Sequence, residues 1–124
     1  MVSGNPYELL ADRLENIAIQ IREIEEEARE VLYEKNDDNG YRELMRRKAM
    51  VLAGLSDELE SLVESAPYEV KERIERFSLT ASQSLQVGSV FFMSALLYPD
   101  DHKDGEPNDL DLFAVKVRAM SGRE

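Results

Sequence analysis

Cysteine and tryptophan are absent from this sequence, and histidine occurs once. Without cysteine there is no disulfide framework, no thiolate metal site and no thiol nucleophile. A single histidine leaves a zinc site to be built mostly from carboxylates, an unusual ligand set. It also excludes a di-iron bundle, which needs two Glu-x-x-His pairs. Basic residues are outnumbered: 15 against 26 acidic ones give a formal net charge of −11. A chain so acidic is repelled by polyanions, so broad binding to nucleic acid or anionic membrane is not expected. The opening residues, Met-Val-Ser-Gly-Asn-Pro, have neither the basic n-region nor the apolar h-region of a signal peptide. A cytoplasmic location is therefore the expectation.

What the sequence does contain is helical periodicity. At 124 residues and 43% apolar composition it has the size of one domain, 1–124, with a core that needs no staple. Asn5 can cap a first helix, with Pro6 at its first position and Glu8 completing a capping box. Tyr7, Leu10, Leu14, Ile17, Ile21, Ile24, Ala28 and Val31 then recur at spacings of three and four. That stripe predicts a bundle helix over about 6–35. The polar stretch 35–40 ends in Asn39-Gly40, a short turn that makes the next helix an antiparallel neighbour. Met45, Ala49, Leu52, Leu55, Leu59, Leu62 and Ala66 predict a second helix over about 41–65, with Gly54 inside it. Pro67 opens a third, over about 67–98, that Pro99 ends. A cap at Asn108 or Asp109 starts a short fourth over about 109–120, with Leu110, Phe113, Val117 and Met120 on one face. The expected fold is all-α: an antiparallel bundle of three long helices plus a short C-terminal helix.

Three segments have the composition of a functional site. The first is 100–111, where Asp100, Asp104 and Asp111 fall at the first, fifth and twelfth positions of a loop with Gly105 at the sixth. This resembles an EF-hand calcium loop. It departs from that pattern in His102 at the third position, Pro107 at the eighth and the short Asp111 at the twelfth. The plain reading is a solvated acidic connector with no bound metal or cofactor. The second is Glu26-Glu27-Ala28-Arg29-Glu30, which resembles the magnesium motif of all-α nucleotide pyrophosphohydrolases. The second Glu-x-x-Asp pair of that motif has no counterpart on the next helix, so the segment reads as a charged outer face. The third is the basic cluster Arg42, Arg46, Arg47 and Lys48. Positive charge in the first turns of a helix opposes the dipole. The cluster either contacts nucleic acid or pairs with acids of the first helix. No Gly-rich phosphate loop or nucleophile elbow is present.

The longest feature is the absence of charge from Phe77 to Pro99, 23 residues. Small residues (Ala81, Ser84, Gly88, Ala95) and large ones (Leu85, Phe91, Phe92, Leu96) both occur in it. The run is long enough to cross a bilayer, but serines and glutamines dilute it, so no membrane span is expected. A subunit interface accounts for the same residues. The sequence therefore points to a non-enzymatic interaction subunit or adaptor, a homodimer or a member of a larger complex. The alternative is a small subunit of a nucleic-acid-handling complex using 42–48.

Overall fold

The computed structural model describes residues 5–121, and every regular element among them is helical. They are α1 (Pro6–Tyr33), α2 (Asp38–Ala53), α3 (Leu55–Glu58), α4 (Glu60–Val63), α5 (Tyr68–Val87), α6 (Val90–Ala95) and α7 (Asp109–Ser121). α1 packs against α2 and α7, α2 packs against α5, and α6 lies against α2 and α5. No helix among the described residues is long and apolar enough to cross a membrane.

α1 begins where its cap places it: the Asn5 side chain accepts the Glu8 N–H at 3.1 Å. Its predicted stripe from Leu10 to Ala28 is buried. Asp37 caps α2 by accepting the Gly40 N–H at 2.9 Å, so this helix starts three residues before the expected position 41.

The expected second helix, 41–65, is not continuous. It breaks at Gly54 and again at Leu59. The physical cause of the first break is Ser78, which reaches across from α5. Its Oγ accepts the Ser56 N–H at 2.8 Å and donates to Leu52 O at 3.2 Å. Those two backbone groups would bond each other in an unbroken helix, and a hydroxyl inserted between them opens the ladder. Ser78→Ala leaves the half-buried Ser56 N–H without a partner and removes a donor from Leu52 O, and should lower stability by about 2 kcal/mol in urea unfolding. A loss under about 0.5 kcal/mol would mean that the ladder closes without the hydroxyl.

The expected third helix, 67–98, is also interrupted. Gly88 adopts φ +72, the left-handed conformation that only glycine takes without a Cβ penalty. Its N–H bonds back to Ser84 O and Leu85 O, ending α5. Ser89 then caps α6 by accepting the Phe92 N–H at 3.1 Å. α6 stops at Ala95, and Leu97 carries a φ of +77. α7 matches its predicted span to within one residue. Its cap is reciprocal: Asn108 Oδ1 accepts from Asp111 N at 2.8 Å, and Asp111 Oδ2 accepts from Asn108 N at 3.0 Å.

Candidate functional site

The turn at Gly88 and the end of α6 at Ala95 build a groove. α5 supplies one side with Arg73, Phe77, Thr80, Ser84 and Val87, a stripe at spacings of three and four. α6 and the chain that leaves it supply the other with Phe92, Leu96, Leu97 and Tyr98. The space between them is about 710 Å³, within the usual range for a binding site. A second hollow of about 330 Å³ continues between α5 and α7 and shares Arg73, Arg76 and Asp109 with the first. Phe77 and Phe113 meet where α5 approaches α7, with ring centroids 5.8 Å apart. The Arg73 guanidinium lies 4.7 Å from the Phe77 ring centroid, and Arg76 pairs with Glu72 at 3.1 Å.

Behind the α6 wall lies an ion pair enclosed by the fold. Lys48 on α2 is 0% exposed. Its Nζ donates to Ser94 O at 3.0 Å and stands 2.9 Å from Glu25 Oε2. That contact is a charge-assisted ion pair, and Lys48 is the only partner of Oε2 among the described residues. The Tyr98 hydroxyl donates to Glu25 Oε1 at 2.6 Å. The Lys48 ammonium also lies 4.9 Å from the Tyr98 ring centroid. Burial pulls the Lys48 pKa down, and Glu25 partly restores it. Burial and the bond to Glu25 push the Tyr98 phenol well above its ordinary value of 10.0.

Together these contacts pin the wall from three sides. Lys48 holds the α6 carbonyl at Ser94, Glu25 holds Tyr98, and the Asp109 N–H bonds to Leu97 O at 3.0 Å. Leu97 is kept in a left-handed conformation that costs a non-glycine residue roughly 1–3 kcal/mol. The amine is wholly enclosed, so it braces the wall and does not face a ligand. One consequence is spectroscopic: the phenolate absorbance of wild type minus Tyr98→Phe should show no step near the ordinary phenol value of about 10. It should appear only on unfolding, and a step near pH 10 in the folded protein would mean that Tyr98 is not held by Glu25.

Of the basic cluster, Arg42, Arg46 and Arg47 are exposed, while Lys48 points into the core. Those three arginines form no ion pair among the described residues. Of the proposed interface, Ala81, Ser84 and Leu96 are buried within the chain and Leu85 is half-buried. Gly88, Phe91, Phe92 and Ala95 are exposed. In the 100–111 loop, Asp100 and Asp104 are exposed, whereas Asp111 pairs with Arg22 and caps α7. No three Asp, Glu or His side chains converge as metal ligands among the described residues.

Sequence reasoning missed Lys48 as a core residue, although the signal was present. It lies three positions after Met45 and four before Leu52, on the apolar stripe itself. Comparison of the chain with protein families, with curated proteins and with solved structures finds no match.

Proposed function

We propose that this chain is a non-enzymatic helical interaction subunit that docks a protein surface on the groove between α5 and α6. The observation that carries this reading is the lip of the groove. Phe91 is 74% exposed, Val87 67% and Phe92 51%, all on or beside an apolar depression. Large apolar side chains clustered at a concave site mark an interaction surface, whereas scattered ones need no explanation. The braced wall supports the same reading, because a wall held in place before binding loses little entropy when a partner arrives.

The test is native mass spectrometry of the tagged chain recovered from its host, as wild type and as Phe92→Glu. The expected result is an assembly of fixed stoichiometry with wild type that is lost in the variant. Identical, monomeric behaviour of both would remove this reading.

A further inference from the structure

We infer that the occupant of the groove is a second copy of this chain, bound about a two-fold axis with Phe91 of each copy seated in the other's groove. This rests on the reading of that face as a docking surface and names its partner.

One residue in three of this chain is charged, and the net charge is −11. Most ways of bringing two copies together press acidic surface against acidic surface, and like-charge contact is strongly unfavourable. Residues 77–99 are the longest exception, with no charge in 23 positions. They form the C-terminal half of α5, all of α6 and the connector to Pro99, and so both sides of the groove. Among the described residues, the charged ones lining it are Arg73, Arg76 and Asp109, a mixed set with a slight positive excess. Two copies can meet on this face without the repulsion that the rest of the surface imposes.

A two-fold interface is self-complementary, so projection and recess must lie on the same patch. Phe91 and Phe92 are adjacent on α6, with ring centroids 5.9 Å apart. Phe92 lines the groove, while Phe91 is the most exposed apolar side chain beside it. A rotation that seats one copy's Phe91 in its partner's groove seats the reciprocal ring as well. Ala95, one helical turn after Phe91, then lies near the axis.

The experiment combines light scattering with cross-linking, and the absence of native cysteine makes the second part unambiguous. Wild type at about 100 µM should have a mass of about 28 kDa, against 14.2 kDa for one chain. Phe91→Glu, at an exposed position, should leave the circular dichroism unchanged and weaken association at least tenfold. Added salt should strengthen the wild-type dimer by screening the two acidic copies from each other. Ala95→Cys should give a disulfide-linked dimer under mild oxidation, and Glu23→Cys on the exposed face of α1 should not. A mass of 14.2 kDa with no Ala95→Cys cross-link overturns the inference, as does a dimer indifferent to Phe91→Glu. If one copy of this chain is then recovered with a different chain that Phe92→Glu releases, the docking face stands and only its occupant is wrong. If neither assembly forms, both readings fall.

Discussion

Lys48→Ala should lower the stability of this protein by roughly 3–5 kcal/mol, the usual cost of removing one member of a buried ion pair. The substitution takes away a wholly buried side chain and leaves the Glu25 carboxylate facing the space it vacated. It also strips Ser94 O of its donor and frees the α6 wall. Lys48→Met fills most of the volume but still leaves Glu25 unpaired, so it should recover only part of the loss. Combining it with Glu25→Leu and Tyr98→Phe removes every polar side chain of the cluster together and leaves only the Ser94 carbonyl without its donor. Replacement of a whole buried ionic cluster by packed apolar groups is often neutral or stabilising. The triple variant should therefore unfold in urea at least as late as Lys48→Met alone. If Lys48→Ala cost less than about 1 kcal/mol, the pair would be open to water and not a brace.

The same cluster sets a pH dependence. The folded-state pKa of Lys48 lies below its ordinary 10.5 because of burial. Between that lowered value and 10.5 the unfolded chain holds a proton that the folded chain has released. Stability from this group therefore rises with pH across the window and is flat below it. Tyr98 acts in the opposite sense. Its phenol stays protonated in the fold but ionises near pH 10 in the unfolded chain, so stability falls as pH rises beyond about 10. Lys48→Met should abolish the rise and keep the fall.

Met93→Ala should cost about 3 kcal/mol, in the middle of the range for truncating a fully buried large side chain. Met93 is 1% exposed and is the only buried residue of α6. Without it, six residues of helix keep their caps but lose their apolar anchor against α2 and α5. The loss should be local as well as global. Hydrogen exchange across 90–98 should accelerate more than in α1, because the least anchored element opens first. Met93→Leu keeps the volume and should cost under about 1.5 kcal/mol. Phe91→Ala, on the exposed side of the same helix, should have little effect on the stability of the isolated chain. Equal exchange rates in α1 and α6 of Met93→Ala would show that the wall does not open on its own.

Features set within a few residues of chain were legible beforehand. The Asn5 cap, the stripe from Leu10 to Ala28 and the span of α7 all depend on contacts no more than about four positions apart. The acidic stretch 100–108 was legible as a connector because it has no aliphatic or aromatic residue to anchor it. The exposed lip at Phe91 and Phe92 lies in the uncharged run that was legible as an interface candidate, although its shape was not.

The long helices over 41–65 and 67–98 failed for an identifiable reason. Gly54 and Gly88 each permitted a break, but a permissive residue does not force one. At Gly54 the break is made by Ser78, whose hydroxyl takes a donor and an acceptor from backbone 22 and 26 positions earlier. At Gly88 the left-handed cap is stabilised once α6 can fold against α2 and place Met93 in the core.

The sequence alone determined the helical class, the starts of α1 and α7 and the buried face of α1, because capping and periodicity are local physics. Tertiary structure decided the groove and the brace behind it. Lys48 meets Ser94 across 46 positions and Tyr98 meets Glu25 across 73. A lysine on an apolar stripe reads equally as an error in the pattern or as half of a pair. Only packing, which removes it from water, requires that a carboxylate be there to meet it.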